Sequence, residues 1–370
     1  MGDFGLALEI LIGLLALALL LCVAGAWYQR VGAIRDARRF PPPGRLIDVG
    51  GTRLHIDIQG GLERDASPPV VFEAGIAATS LSWQLVQPEI ARRARTVSYD
   101  RAGLGWSDAW SEATSDATSD AGSDMGEGRG IWQVVEDLRR LLDSAGIATP
   151  RVLVGHSYGG LIVTAYALRY PSEAAGLILV DPVAASEWSN PSPSALKRLR
   201  LGTRFSRRGA MLARFGVPRF ALNLLSGGAR FLPKFIARAA SGTGAGLIDR
   251  MVGQIQKLPR PLWPIIQSHW CDPKSFEGMA RYLEALPESA AAVNREFAAD
   301  RDQQAMSAIP LIVLSSANAS PAERAEHQTL ARRSSKGRFE VVPGSGHWIQ
   351  LDRPDFVIRA IEEIVSTCRS

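Results

Sequence analysis

The sequence predicts an α/β protein. The expected fold is a doubly wound, mostly parallel, eight-stranded sheet with a helical cap insertion, preceded by one N-terminal transmembrane helix. Three observations lead there. Short, near-continuous apolar segments alternate with longer segments of helical pattern, as in a parallel sheet covered on both faces. The segment Gly155-His156-Ser157-Tyr158-Gly159 joins a strand-like run to a helix-like one. Finally, Ile10 to Tyr28 is apolar over 19 consecutive residues. As a helix this run measures about 28 Å, close to the hydrocarbon thickness of a bilayer.

Residues 1–29 therefore read as an anchor. A buried core helix rarely stays apolar on every face for five turns. Ala24-Gly25-Ala26 resembles a signal-peptide cleavage site, but Asp3 and Glu9 precede it with no Lys or Arg, against the charge a signal peptide carries. An uncleaved membrane anchor is the favoured reading. Arg30, Arg35, Arg38 and Arg39 follow the apolar run. By the positive-inside rule they hold the rest of the chain in the cytoplasm, although a single helix before a translocation-competent domain can break that rule. Residues 30–44 read as a basic, proline-rich linker ending in Pro41-Pro42-Pro43-Gly44.

Residues 45–185 form the first part of the expected core. Leu46 to Val49 and Leu54 to Ile58 flank Gly50-Gly51 as a hairpin. Pro69 to Gly75 is a strand ending in a glycine loop, and Thr96 to Asp100 is another strand. Ile131 to Gly146 is an amphipathic helix that stops at a glycine. Arg151 to Val154 is the strand before Ser157, and Gly176 to Asp181 the next one. Residues 302–370 resume the pattern, with strands at Ile309 to Leu314 and Arg338 to Val342.

Two segments interrupt this rhythm. Residues 111–130 hold a small, polar, acidic repeat that cannot bury a core and reads as a disordered surface loop. Residues 186–301 read as a helical, basic cap. Within it, Glu187 to Arg260 has 14 Lys or Arg against 2 Asp or Glu, in a chain whose net charge is only +5. Phe205, Met211, Leu212, Phe215, Phe220, Leu224, Leu225, Phe231 and Phe235 interleave with that charge. Such a segment is either a lid solvated by arginine or a basic amphipathic surface lying on membrane lipid. Nucleic acid is not expected as a partner, because no binding motif accompanies the charge. The three cysteines are too few for a disulfide framework. The sequence shows no Cys/His cluster of metal-ligand spacing, no Walker loop and no dinucleotide fingerprint. No metal or cofactor is expected.

A serine between glycines on a strand-to-helix turn is a nucleophile elbow. The turn lifts the Ser157 hydroxyl above the sheet edge, and the following helix aims its free N–H groups and positive dipole end at the same spot. Ser157 needs a base, and the chain has five histidines. His156 lies inside the elbow and is expected to point elsewhere. His55 is in the hairpin, His269 in the cap and His327 in a polar helix. His347 sits on the glycine loop Pro343-Gly344-Ser345-Gly346 just after the last strand. That end of a doubly wound sheet carries the ligand crevice, and the order Ser before His suits this elbow. His347 is the expected general base. The third member should be an acid that orients the imidazole. The segment after Leu314 is Ser315-Ser316-Ala317-Asn318-Ala319-Ser320, with no acid. Asp181, at the end of the preceding strand, is favoured, with Glu323 and Glu326 as alternatives. For the oxyanion hole the backbone N–H of Tyr158 is expected, together with that of Ile76 or Ala77 in the loop after Gly75.

These motifs resemble the α/β-hydrolase fold, in particular the capped esterase and lipase type. Gly155 to Gly159 and Gly346-His347 match two family motifs, and Tyr99-Asp100-Arg101-Ala102-Gly103-Leu104-Gly105-Trp106-Ser107 resembles the loop after the fourth strand. Glu73-Ala74-Gly75 stands where many members have His-Gly, and an acid in an Asp-Pro context after the sixth strand occurs in some lipases. The resemblance spans about Leu46 to Val365 and is weakest in the cap. Epoxide hydrolases and haloalkane dehalogenases of this fold use Asp as nucleophile, whereas this chain has Ser157. The resemblance thus implies acyl transfer through a serine ester, with a lipophilic small-molecule ester as the expected substrate. Peptidases, thioesterases, acyltransferases and carbon–carbon hydrolases share the fold and stay open, as does a non-catalytic binding module.

Overall fold

In the computed structural model, the residues described are 2–61, 67–110, 130–226, 256–300 and 305–368. The expected acidic loop, apart from Gly130, and the cap residues Phe231 and Phe235 lie outside them. Eight strands form one sheet: β1 (Arg45–Asp48), β2 (Arg53–Gln59), β3 (Val70–Glu73), β4 (Thr96–Tyr99), β5 (Arg151–His156), β6 (Ala174–Val180), β7 (Leu311–Ser316) and β8 (Gly337–Val342). Their order across the sheet is β1-β2-β4-β3-β5-β6-β7-β8. Only the β1–β2 and β2–β4 pairs are antiparallel. All others run parallel, so the carboxyl ends of β3 to β8 share one edge.

Among the described residues the α-helices, in chain order, are α1 (Gly2–Arg39), α2 (Gln87–Ile90), α3 (Ile131–Ser144), α4 (Tyr158–Arg169), α5 (Ala185–Ser189), α6 (Pro193–Arg214), α7 (Val217–Ser226), α8 (Trp263–Trp270), α9 (Pro273–Ala299), α10 (Pro321–Ala331), α11 (Ile349–Asp352) and α12 (Pro354–Thr367). The central strands are apolar on both faces because both are covered. Alternation along β5 sends Leu153 into the layer under α3 and α4, with Val135, Leu138 and Ile162. Val152 and Val154 enter the opposite layer, with Val357, Ile361 and Ile364 of α12.

Helices α5 to α9 are inserted between β6 and β7 as a cap. The long helix α9 seats it on the core. Gly278 of α9 approaches Gly103 so closely that a β-carbon on it would fall 2.9 Å from the Gly103 carbonyl oxygen. Tyr282 donates to the Ala102 carbonyl at 3.1 Å, and the Tyr158 and Ser289 hydroxyls meet at 3.2 Å. Helix α6 packs its small face (Ala195, Gly202, Ser206, Gly209, Ala213) inward, with Gly202 near Leu283 and Gly209 against Phe276.

One expected boundary is corrected. The first helix does not end near residue 29 but runs unbroken to Arg39, leaving only 40–44 irregular. The arginine-rich stretch has the composition of a linker, yet nothing in it breaks a helix before Pro41. The helix end is fastened at two levels. The indole N–H of Trp106 donates to the Phe40 carbonyl at 3.0 Å. The buried ring of His55 meets Asp100 Oδ2 through Nδ1 at 2.9 Å and the Pro43 carbonyl through Nε2 at 2.5 Å. Both ring nitrogens face acceptors, so both must carry protons and the ring is an imidazolium. Burial opposes that charge, but the hydrogen bond to Asp100 and its negative charge outweigh burial and raise the His55 pKa above 6.5. Burial likewise opposes the Asp100 carboxylate, yet His55 holds its pKa down at about 2.

A group whose pKa is raised by folding stabilises the fold fully below its unfolded value, and that contribution is lost as pH rises through the folded value. In detergent solution, the full chain should therefore exceed its His55→Gln variant in unfolding temperature most near pH 6. The difference should shrink steadily towards pH 9. A difference independent of pH would show that the imidazolium is not what fastens Pro43.

Candidate active site

The turn after β5 is held by close backbone approaches that exclude side chains. A β-carbon on Gly155 would strike the Gly159 carbonyl and lie 2.7 Å from the Gly160 α-carbon. One on Gly159 would lie 2.5 Å from the Glu73 carbonyl oxygen and 2.6 Å from that of Ala74. Between them Ser157 has φ 54°, a left-handed conformation that a serine adopts only where its surroundings impose it. Those surroundings are hydrogen bonds on both sides. Its N–H donates to Val180 of β6 at 3.0 Å, and its carbonyl accepts from Gly160 at 2.9 Å and Val183 at 3.1 Å.

The sheet register brings the other two expected residues to the same edge. His156, Val180, Leu314 and Glu340 line up across β5 to β8. The loops that follow β5, β6 and β8 therefore leave the sheet at nearly one level and carry Ser157, Asp181 and His347. Asp181 also has a left-handed backbone, φ 44°. Its N–H donates to the Leu314 carbonyl at 2.7 Å, and its Oδ1 accepts from the Ser316 N–H at 2.7 Å. Its Oδ2 lies 2.7 Å from His347 Nδ1. The end of β7, whose following loop lacks an acid, supplies a backbone donor to the acid after β6 instead. Burial opposes the Asp181 charge, but the hydrogen bond and charge of His347, with the Ser316 N–H, prevail and lower its pKa. With Nδ1 engaged, His347 has Nε2 free for exchange, and its side chain is half exposed.

The alternative acids are engaged elsewhere. Glu323 closes a capping box at the start of α10, where its side chain accepts from the Ser320 N–H at 2.7 Å. Glu326 accepts from the Ser186 N–H at 2.8 Å and from the Ser186 hydroxyl, which ties α10 to the first helix of the cap. His327, expected on a polar helix, is buried and bridges the Ser315 hydroxyl and the Pro182 carbonyl, both at 2.9 Å.

Two further features escape sequence reading. The first is the Arg101 guanidinium, fully enclosed beneath the loop after β3. It pairs with Glu73 and donates to the Ala74 carbonyl at 2.6 Å and the Gly75 carbonyl at 2.5 Å. In a trans peptide the N–H points opposite to the C=O. With the Gly75 carbonyl turned to Arg101, the Ile76 N–H is turned away from it. This loop borders Ser157, since a β-carbon on Gly75 would lie 3.6 Å from that of Ser157. Tyr158 opens α4, where amides have no partner within the helix. Burial opposes the Arg101 charge, but Glu73 outweighs it and holds the guanidinium ionised. The sequence signal was a pair of opposite charges, Glu73 at the end of β3 and Arg101 just past the adjacent β4.

The second feature corrects an expectation. His156 does not point away from the site. Its Nε2 donates to the His347 carbonyl at 2.8 Å, and its ring packs against those of His347 and Trp348, each with centroids 4.8 Å away. Burial, then the neighbouring His347, drives its pKa down to about 3, so it is neutral. Its Nδ1 is buried without a hydrogen-bond partner. His156 thus braces the loop that carries His347.

A strand-turn-helix serine, an Asp–His pair on the loops after β6 and β8, and a helical cap define a capped α/β hydrolase. The profile of the α/β hydrolase fold matches residues 68–354, and the chain belongs to that family. It is 30% identical over 149 residues to 2-hydroxy-6-oxo-2,4-heptadienoate hydrolase of Pseudomonas putida, covering 39% of this chain and 46% of that protein. It is 24% identical over 341 residues to epoxide hydrolase A of Mycobacterium tuberculosis, covering 88% of this chain and 98% of that one. Among solved structures, the enol-lactonase of Burkholderia xenovorans LB400 superposes with a TM-score of 0.54 at 19% identity, over 87% of this chain and all of that one. The chain spans only 19%, 47% and 54% of the first curated relatives it matches.

Arg101→Met leaves Glu73 buried without its counter-charge, which typically costs about 3–5 kcal/mol. The double change Arg101→Met with Glu73→Gln removes the orphaned charge and should recover much of that loss. Denaturant unfolding of the two variants measures the difference. Equal destabilisation by both would mean that the pair is not coupled.

Proposed function

We propose that this chain is a serine hydrolase that cleaves carboxylic esters through an acyl-enzyme, with Ser157, His347 and Asp181 as its triad. The observation that carries this reading is the Asp181–His347 hydrogen bond, 2.7 Å long, beside a serine held on a strained elbow. Ser157 Oγ attacks the ester carbonyl while His347 Nε2 takes its proton. Asp181 keeps the proton of His347 on Nδ1 and offsets the positive charge that forms. The oxyanion is received by the N–H groups of Tyr158 and Ile76. His347 then passes its proton to the leaving alcohol, and water, activated by the same nitrogen, releases the acid. Arg101 and His156 are positioning residues, the first for the oxyanion loop and the second for the loop of His347.

We further propose that α1 anchors the enzyme in a membrane and that its substrates are lipophilic. Helix α1 is long and apolar enough to cross a bilayer, and none of its most apolar stretch is buried. A second reading, hydrolysis of a carbon–carbon bond, is favoured by the likeness to the Pseudomonas putida heptadienoate hydrolase. The same serine would serve both reactions, and a panel of acyl esters set against a ring-cleavage dienoate separates them.

A fluorophosphonate probe should label the full chain, and Ser157→Ala should abolish both labelling and ester hydrolysis while leaving the unfolding curve unchanged. Labelling that survives in folded Ser157→Ala would remove Ser157 from the reaction. Asp181→Asn should lower kcat on the order of 10⁴-fold, as loss of the orienting carboxylate does in serine triads. Glu323→Gln and Glu326→Gln should leave kcat near wild type. A large loss in Glu326→Gln with none in Asp181→Asn would move the acid to α10.

A further inference from the structure

Helix α1 is not a free tether for the cap. One stripe of it, at Gly25, Gln29, Gly32 and Asp36, is packed against cap helices. A β-carbon on Gly25 would lie 2.5 Å from the Phe215 carbonyl oxygen, and one on Gly32 would lie 2.5 Å from Arg219 Nε. The buried Arg219 of α7 donates to Gln29 at 2.9 Å and to Asp36 at 2.5 Å. Gln29 in turn donates to the Cys271 carbonyl at 2.8 Å, and Asn223 donates to the Tyr28 hydroxyl at 2.8 Å. The two glycines let the backbones approach, and the polar groups fix the register.

This docking sets a depth. Contact with the cap begins at Gly25, which lies inside the apolar run. The 19 residues from Leu6 to Ala24 before it are exposed and span about 28 Å, the thickness of a hydrocarbon core, with Glu9 in the first turn at the far end. The corner joining α6 to α7 thus sits where such a helix leaves the acyl layer. Apolar side chains are exposed at that corner: Met211, Leu212, Phe215, Val217, Phe220 and Leu224. Val217, Phe220 and Leu224 recur at helical spacing on one face of α7. Trp27, 69% exposed, lies at the same level of α1, and aromatic residues favour the membrane–water interface. Leading away from the corner, α6 exposes Arg208, Arg204, Arg200 and Lys197 along its length. Basic charge beside an apolar face fits an anionic lipid surface.

We propose that the α6–α7 corner of the cap is a membrane-docking surface that enters the headgroup–acyl boundary of an anionic bilayer beside the anchor. This deepens the preceding proposal and rests on its reading of α1 as a membrane span. The corner delivers lipophilic esters to the cap from the bilayer rather than from water, and it fixes the height of the site above the lipid.

The test uses the full chain with Cys22, Cys271 and Cys368 replaced by Ala, one chain per nanodisc of phosphatidylcholine and phosphatidylglycerol. Spin labels are placed singly by Leu14→Cys, Leu212→Cys, Phe220→Cys and Arg92→Cys, the last at the opposite end of the sheet. Power saturation should show labels at 14, 212 and 220 exposed to oxygen and shielded from aqueous nickel, and the label at 92 the reverse. Nickel access at 212 and 220 with lipid depth at 14 would overturn the docking and leave the anchor standing. Nickel access at 14 as well would overturn the anchor reading with it. Shielding at 220 only in discs holding two chains, with spin–spin broadening, would assign the corner to a second copy and overturn the proposal. In parallel, Phe220→Asp with Leu224→Asp should leave hydrolysis of a water-soluble short-chain ester unchanged. It should lower hydrolysis of a bilayer-dissolved long-chain ester by about tenfold or more, as loss of two buried apolar side chains implies. Equal rates on both substrates would overturn the delivery role. Shielded labels in a chain that hydrolyses neither ester would leave the docking intact and count against the hydrolase reading alone.

Discussion

The contact of backbone on backbone at Gly159 is the constraint on which the rest of the site depends. Only a residue without a β-carbon lets the start of α4 lie against the carbonyls of Glu73 and Ala74. That contact fixes the loop after β3 relative to the turn after β5. The turn can then place Ser157 in a left-handed conformation, because a hydrogen bond to Val180 and others from Gly160 and Val183 hold its backbone from two directions. The strain at Ser157 is thus supported by the most deeply buried strands, which have the most packing to give.

Every other element of the site is held in a related way, by backbone pinned from another strand or the residues just after it. Asp181 receives Ser316 and reaches Leu314, both of β7. The carbonyls of Ala74 and Gly75 are held by Arg101, just beyond β4. The carbonyl of His347 is held by His156, the last residue of β5. Each loop is braced by another strand of the sheet or the residues just beyond it, so the sheet register, rather than the loops' own conformations, sets the geometry. The buried charges follow the same logic. Arg101 with Glu73 and His55 with Asp100 are each enclosed as a pair, which avoids the cost of a lone buried ion.

Much of this was legible in the sequence. All eight strands begin and end within two residues of the runs that predicted them, and the central ones are clearest because strands buried on both faces cannot hide among polar residues. The elbow was legible because its glycines are required by contact. Ser320-Pro321-Ala322-Glu323 also reads as a capping box, a signal that could have removed Glu323 from the candidate acids. What the sequence did not reveal depends on neighbours distant in the chain. His156 and His347 are 191 residues apart, and only the order of β5 to β8 brings the ring of one to the carbonyl of the other. Arg101 and Glu73 are joined across β3 and β4 in the same way. The end of α1 was misread for a different reason: basic composition suggested a linker, while the helix persists because Gln29 and Asp36 have partners in the cap.

The anchor, the cap and the core form a closed chain of contacts. Helix α1 is joined to α7 through Arg219 and to the core through Phe40 and Pro43. The cap is joined to the core through α9, at Gly278 and Tyr282. A domain held to its helix at one point would swing, and its site would meet the bilayer at every angle. A domain held both on the helix and at the residues directly after it has one orientation, and with α1 spanning a membrane as proposed, that orientation is imposed on the active site. Moving the cap as a whole would break the Arg219 cluster or the α9 seat, each of which buries polar groups that would lose their partners. The helices that meet the anchor and those that meet the core are the parts expected to stay still.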